Sequence, residues 1–163
     1  MGGESGGDPV QISYAGAVGT FQIMPDTGEY LGLKVDKHIT KTDEKDARKK
    51  GYKHYSTRDE RFDPGKCIGA GIRLLRQNYD KFGKWGLALV AYNWGGGNLI
   101  GWLANQGYID SDSKLKLNEQ LKDADLSEIF REAEQTVKDP RAMAGFKYPF
   151  RMSAMYECTN AAL

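Results

Sequence analysis

The sequence predicts a mainly α-helical protein with little or no β-structure. Apolar residues recur every three or four positions through residues 64–82, which is the period of an amphipathic helix. Residues 85–94 are apolar on nearly every side, as in a helix buried in a core. No segment shows a convincing alternation with period 2. With 163 residues, no internal repeat and no linker, the chain is expected to form one domain over residues 1–163.

Composition excludes several classes of protein. The chain has 23 Lys and Arg against 22 Asp and Glu, a formal net charge of +1, which argues against a dedicated nucleic-acid binder. No apolar run has the length of a membrane span, and no secretory signal is visible. The two cysteines, Cys67 and Cys158, fit no metal spacing, so we predict no metal and no cofactor. They are expected to be buried thiols, with one long-range disulfide as the alternative.

The first predicted helices are short or charged. A helix is expected within residues 25–33, and Pro25 or Asp26 would begin it. Residues 34–62 are strongly charged and weakly apolar. Within them, Thr42 is predicted to cap a polar helix that ends at Gly51.

The clearest helix is predicted for residues 64–82, with Pro64 in its first turn and Gly83 after its end. The helix of residues 85–94 is expected to stop at the glycines 95–97, and another short helix follows within residues 99–107. The stripe expected to face the core from the helix of residues 64–82 consists of Ile68, Ile72, Leu75, Tyr79 and Phe82.

The last part of the chain predicts a loop and two helices. Asp125 is expected to cap the first of these helices and to form a capping box with Glu128. The second is expected to begin near Tyr148 and Pro149. The residues predicted to face the core are Leu126, Ile129, Phe130, Ala133 and Val137 in the first helix, and Met152, Met155 and Tyr156 in the second.

Four segments stand out for their chemistry. They are Glu4-Ser5, "GTFQIMP" at residues 19–25, "AYNWGGG" at residues 91–97, and Tyr148. Their order and spacing resemble those of the soluble lytic transglycosylases, which are relatives of goose-type lysozyme. The resemblance covers roughly residues 4–33 and 62–99 and, more loosely, residues 140–157, and it implies a lysozyme-like α-helical fold.

The resemblance implies cleavage of peptidoglycan between N-acetylmuramic acid and N-acetylglucosamine without water, giving a 1,6-anhydro sugar. One carboxyl group acts as both acid and base, and the motif assigns this role to Glu4. Such an acid must be protonated near neutral pH, so Glu4 needs an apolar, enclosed setting that raises its pKa.

The resemblance also implies substrate-binding residues in the first segment. Gln22 would bond sugar near the cleaved bond, Met24 would pack under a sugar ring, and Ser13 would lie near the substrate acetamido group. Each has an ordinary alternative: a surface or capping glutamine, a core methionine and a turn serine.

Further substrate-binding residues are implied later in the chain. Tyr92 would orient the catalytic carboxyl, Asn93 would bond sugar or fix the glycine turn, and Tyr148 would line the cleft or fill the core. Tryptophans can stack on sugars, but core packing is expected for Trp85.

Three departures from the family pattern matter. Relatives carry an apolar helix before the catalytic Glu, whereas only "MGG" precedes Glu4, so a missing segment or a partner chain is expected to supply that wall. Ala144 stands where relatives often have an acidic residue. The charged segment 34–62 is longer than the usual connection; we expect a solvated face, with a lip of the cleft or a contact to anionic wall polymer as the alternative.

Two other functions remain open. A goose-type-like lysozyme would hydrolyse the same bond and needs a second acid, for which Asp8, Asp26 and Glu29 are near in sequence. A non-catalytic module would only hold peptidoglycan strands. In each case the expected partner is the glycan strand, with no nucleic acid and no membrane span. The expected location is the periplasm or cell wall, or a phage virion or lysate.

Overall fold

A computed structural model describes residues 7–161, with side chains through residue 152, and most of these residues are helical. The prediction of a mainly α-helical protein is confirmed. In this part of the chain β-structure is limited to isolated bridges, which join Val18 to Ile12 and to Ile23. None of the helices in the described part of the chain has both the length and the apolar character of a membrane span.

The chain divides into two compact units, Met1–Leu74 and Leu75–Leu163, and the division falls within a long helix. A 3₁₀ turn at Glu60–Phe62 precedes that helix. The helices are α1 (Pro25–Tyr30), α2 (Lys41–Lys50), α3 (Tyr52–Ser56), α4 (Pro64–Phe82), α5 (Trp85–Trp94), α6 (Gly96–Asn105), α7 (Leu117–Gln120), α8 (Leu126–Thr136) and α9 (Pro140–Ala161).

In the first unit, the charged segment 34–62 supplies much of the core. Its apolar side chains are buried in one cluster with those of the opening segment. The expectation of a solvated face is therefore wrong for these apolar side chains, whereas Lys49, Lys50 and Arg58 between them are exposed. The cluster consists of Val10, Ile12, Val18, Ile39, Ala47, Tyr55 and Phe62.

Helix α2 begins two residues earlier than the sequence predicts. Thr40, not Thr42, is the N-cap, because the Asp43 carboxylate accepts hydrogen bonds from both the backbone N–H and the hydroxyl of Thr40, each at 2.8 Å. The helix ends at Gly51 as predicted, where φ is +84°, a conformation that favours glycine.

Helix α4 has the predicted bounds, but the face that it buries in the first unit is not the predicted one. Ile68 and Ile72 were expected inside and are 38% and 57% exposed. Cys67 and Ala70 are buried there instead, against Ile23 and its neighbours. The small side chains of Cys67 and Ala70 let the segment around Ile23 approach the helix closely. Hydrophobic periodicity alone does not reveal such close packing. Phe82, at the other end of the stripe, is buried as predicted.

The second unit is built around α5. Leu87, Ala88, Val90 and Ala91 are buried in it, which confirms the predicted core helix. Only Gly95 ends the helix, with φ of +99°, because the next two glycines already belong to α6.

Helix α8 confirms its predicted start but lacks part of its predicted cap. The Asp125 carboxylate accepts from the N–H of Ser127 at 2.8 Å. Glu128 makes no return bond to Asp125 in the described structure, so the capping box is not formed. Ile129 and Ala133 are buried as predicted.

Helix α9 begins at Pro140 rather than near Tyr148. Proline fits a first helical turn, and the Asp139 carboxylate accepts from the N–H of Arg141 at 2.8 Å. Pro149 lies inside the helix and removes one backbone bond there. Met152 is 38% exposed, so its predicted burial is wrong. Met155 and Tyr156 lie outside the described side chains.

Candidate functional site

The segment "GTFQIMP" forms a tight turn held by backbone hydrogen bonds. Val18 and Ile23 exchange two bonds of 3.1 and 3.0 Å, and the N–H of Gln22 donates to the carbonyl of Gly19 at 3.0 Å. Gln22 has φ of +48°, in the left-handed region that non-glycine residues rarely adopt. Backbone strain of this kind concentrates at functional sites, so the conformation marks Gln22 as a residue worth testing.

The side chain of Gln22 is also fixed. Its amide nitrogen donates to the carbonyls of Gln11 at 3.1 Å and Gly19 at 2.9 Å. Both neighbours are acceptors, so the nitrogen must be the atom that faces them. The amide oxygen is left to accept a hydrogen bond from a ligand N–H or O–H.

A buried ion pair between Arg61 and Asp59 stabilises this turn. Arg61 is 1% exposed and Asp59 is 0% exposed, and Nη2 of Arg61 lies 2.6 Å from Oδ2 of Asp59. Nη1 of Arg61 donates to the carbonyls of Gly16 and Ile23, both at 3.0 Å. The sequence analysis missed this pair because both residues stand in a charged run typical of a surface.

Gly19 and Gly71 allow the closest approaches to the turn. A Cβ on Gly19 would lie 2.0 Å from the backbone oxygen of Arg61, and one on Gly71 would lie 2.0 Å from Cδ1 of Phe21. Cys67 is buried beside them as a free thiol, as predicted, and burial raises its pKa. Cys158 lies outside the described side chains.

Ser13 directly follows Ile12 in the chain. Val18 forms β-bridges with both Ile12 and Ile23, so the segment that carries Ser13 lies next to the Gln22 turn. Ser13 is a turn serine: its Oγ accepts from the N–H of Ala17 at 2.9 Å. That bond uses a lone pair and leaves the hydroxyl hydrogen to donate. The structure therefore brings Ser13 and Gln22 into one loop, while contact with an acetamido group remains a prediction.

Met24 follows the same turn and caps α1. It is 41% exposed, so it is not a core methionine. The exposed Met24 side chain is accessible to a ligand, and its contact with a sugar ring remains a prediction.

Electrostatic contacts tie the opening segment to α2. The Glu44 carboxylate accepts from the backbone N–H of Ile12 at 3.0 Å and pairs with Lys41 at 2.6 Å and Arg48 at 2.9 Å. Arg48 also pairs with Asp8 at 2.7 Å. Partial burial acts to raise the pKa of Glu44, but these hydrogen bonds outweigh it and lower the pKa to about 2.

The later predicted residues lie in the second unit. The rings of Tyr92 and Tyr148 stack with centroids 6.3 Å apart and planes inclined by 26°. Asn93 is exposed at the end of α5, beside the glycine turn. Helix α9 reaches α5 closely at Gly145, where a Cβ would lie 2.7 Å from Cβ of Trp94. Gly145 therefore lets α9, which carries Tyr148, pack closely on α5, which carries Tyr92. The sequence analysis missed this contact.

Trp85 was expected in the core, and that expectation is wrong. It is 53% exposed and stacks on Tyr79 with centroids 4.4 Å apart. It begins α5, so its ring lies at the end of the helix away from Asn93.

Comparison with known proteins identifies the family. Residues 1–114 match the family model described as Transglycosylase SLT domain. This match covers more than half of the chain. The chain belongs to the transglycosylase SLT domain family. It is also similar to a protein named transglycosylase from Enterobacteria phage PRD1, with 32% identity over 99 residues.

The SLT chain spans only part of this relative. The similar region is 61% of the chain but 28% of the phage protein. No solved structure matches the chain significantly. All the predicted site residues except Tyr148 fall within the SLT match.

The predicted acid of the SLT domain, Glu4, lies outside the described residues. The three acids considered as its partner in hydrolysis are described, and each is paired with a cation. Asp8 pairs with Arg48 at 2.7 Å, and Lys37 lies 3.1 Å from Asp26 and 2.9 Å from Glu29. Among the described residues, no three His, Cys, Asp or Glu side chains gather as metal ligands would.

Proposed function

We propose that this protein is a peptidoglycan lytic transglycosylase. The SLT match over residues 1–114 is the observation that carries the proposal. It is supported by the fixed turn around Gln22, where a strained backbone and a buried ion pair hold one amide oxygen in place. The substrate class is the glycan strand, and the site of action is the cell wall, reached from the periplasm or by a phage particle.

In the proposed reaction, Glu4 works first as an acid and then as a base. Its carboxyl proton goes to the glycosidic oxygen as the bond from that oxygen to C1 of N-acetylmuramic acid breaks. The C6 hydroxyl of the same sugar then attacks C1, and its proton returns to Glu4. The product is a 1,6-anhydro end, no water is consumed, and no metal or cofactor is required.

The other predicted residues bind the strand. The free amide oxygen of Gln22 accepts a hydrogen bond from sugar near the cleaved bond, and Ser13 donates to the acetamido group. Met24 contacts an apolar ring face. Within the second unit, Tyr92, Asn93 and Tyr148 are the residues expected to contact sugar.

Hydrolysis is the main alternative, and the ion pairs disfavour it. A second carboxylate would have to hold a water molecule as a base. Asp8, Asp26 and Glu29 each lie within 3.1 Å of a Lys or Arg nitrogen, so a water molecule held there would compete with an ion pair that is already formed. Ala144 supplies no carboxylate either.

The deciding experiment is digestion of purified peptidoglycan with product analysis by mass spectrometry. Wild type is compared with Glu4→Gln and with a control, Glu134→Gln, which removes an exposed carboxylate of α8. Anhydro-muropeptides from wild type and from the control, with none from Glu4→Gln, are expected.

Two results would overturn the proposal. Reducing-end products heavier by one water would make the protein a hydrolase. Binding to peptidoglycan without any cleavage by wild type would make it a non-catalytic glycan-binding module.

A further inference from the structure

The side chain of Tyr14 is placed in an unusual way. It is 99% exposed, the highest value among the large apolar residues of the described chain. It stands directly after Ser13, at the tip of the turn formed by residues 13–17. A tyrosine that buries nothing contributes little to folding, so its position calls for another explanation.

The turn beneath Tyr14 is rigid. The N–H of Ser13 donates to the carbonyl of Ala17 at 2.8 Å, and the N–H of Gly16 donates to the carbonyl of Ser13 at 3.1 Å. The carbonyl of Gly16 accepts from the buried guanidinium of Arg61 at 3.0 Å. Tyr14 is therefore carried on a backbone that is fastened to the interior of the unit.

One neighbour restrains the ring itself. Nζ of Lys41 lies 5.5 Å from the centroid of the Tyr14 ring, within the range of a cation–π contact. Lys41 is in turn held by Glu44 at 2.6 Å. This contact favours one orientation of the ring, and most of the ring surface remains open to a ligand.

We propose that Tyr14 is a stacking platform for one pyranose ring of the glycan strand. This inference rests on the proposed function. The apolar C–H face of a pyranose suits an aromatic face, and tyrosine offers a large contact area with few rotatable bonds to fix. Ser13, next to it, has a hydroxyl hydrogen left to donate to the same or the adjoining sugar.

The surroundings favour a sugar over a protein partner. Tyr14 is a single exposed ring, and the next residue, Ala15, is small. Protein docking surfaces present a contiguous apolar patch of several hundred Å². One ring can match one sugar, but it is too small to anchor a protein interface by itself.

The test measures initial rates of wild type, Tyr14→Ala and Tyr14→Phe on soluble glycan strands. Tyr30→Ala is the matched control, since Tyr30 is an exposed tyrosine of the same unit. Tyr14→Ala is expected to raise KM about 3- to 10-fold with kcat within twofold, and Tyr14→Phe to restore KM. Tyr30→Ala is expected to behave as wild type.

The outcomes separate this inference from the proposed function. Two results would overturn the stacking role even if wild type cleaves. One is an unchanged KM in Tyr14→Ala, and the other is a decrease of both kcat and thermal stability in that variant. If wild type does not cleave, sedimentation with insoluble peptidoglycan replaces the rate assay. Weaker binding by Tyr14→Ala than by Tyr30→Ala would then support the platform, and equal binding would overturn it.

Discussion

The ring of Phe21 occupies the space where a side chain at Gly71 would begin. A Cβ on Gly71 would lie 2.0 Å from Cδ1 of Phe21, far inside contact distance. Because Phe21 immediately precedes Gln22, this contact holds the Gln22 turn against α4.

Gly71→Ala is expected to destabilise the first unit and to impair activity. The added methyl group displaces the Phe21 ring, at a cost of about 1–3 kcal/mol in the free energy of unfolding. Urea unfolding measures the loss, and rates on peptidoglycan should fall because the Gln22 turn shifts. Gly69→Ala is the control, because Gly69 lies on the same helix. A Cβ at Gly69 would have Nη1 of the flexible Arg73 side chain as its nearest neighbour, at 3.5 Å. Equal stability of the two variants would contradict the prediction.

Arg61→Met is expected to lower the free energy of unfolding by about 3–5 kcal/mol, because it leaves the buried Asp59 carboxylate unpaired. The double variant Asp59→Asn with Arg61→Met should recover part of this stability, since no charge is then buried. Arg58→Met serves as the control, because Arg58 pairs with Asp36 on the surface and should cost at most about 1 kcal/mol. Similar losses for Arg61→Met and Arg58→Met in urea unfolding would argue against a buried support.

Gly145→Ala is expected to push α9 away from α5. Its methyl group would meet Cβ of Trp94 at 2.7 Å, and the stack of Tyr92 on Tyr148 would open. We expect a loss of about 1–3 kcal/mol, measured by urea unfolding. Gly101→Ala, with nothing within 4 Å, should be neutral or gain up to about 1 kcal/mol from helix propensity. A stable Gly145→Ala variant would show that the helices can separate at little cost.

Glu44 is expected to make stability depend on acid pH. Its pKa is lowered from 4.5 to about 2, so its contribution is present above pH 4.5 and is lost as pH falls toward 2. Between pH 7 and pH 3, wild type should lose roughly 1–2 kcal/mol more than Glu44→Gln in urea unfolding. Glu134→Gln should follow wild type. Parallel pH profiles for wild type and Glu44→Gln would rule out this linkage.

The helices could largely be predicted from the sequence because periodicity and end signals are local. The bounds of α4 and α5 follow from apolar spacing and from the glycines that end them. The start of α9 was predicted wrongly because proline is a strong local signal against a helix interior, and Pro149 lies inside this helix. The helix nevertheless continues through Pro149, and it packs on α5. The face of α4 was missed because close packing selects small residues.

Residues of the candidate site could be predicted only where a motif marks them, and their roles in binding stay predictions. Gln22 and Ser13 were predicted by resemblance, and the structure places them in one loop. Arg61 and Asp59 could not be predicted, because a buried ion pair has the same residue types as an exposed one. Gly145 was missed for a similar reason, since its importance depends on Trp94, which is distant in sequence.

The contacts that hold the Gln22 loop also determine when it can fold. Arg61 stands 45 residues after Gly16 and 38 after Ile23, and Glu44 stands 32 after Ile12. Contacts of such separation form slowly. During synthesis the loop leaves the ribosome before Glu44 and Arg61, so it cannot reach its native form until Arg61 has also emerged. Substrate binding should therefore appear with the slowest folding phase of the first unit, and a nascent chain that ends before this point should be a target for proteases.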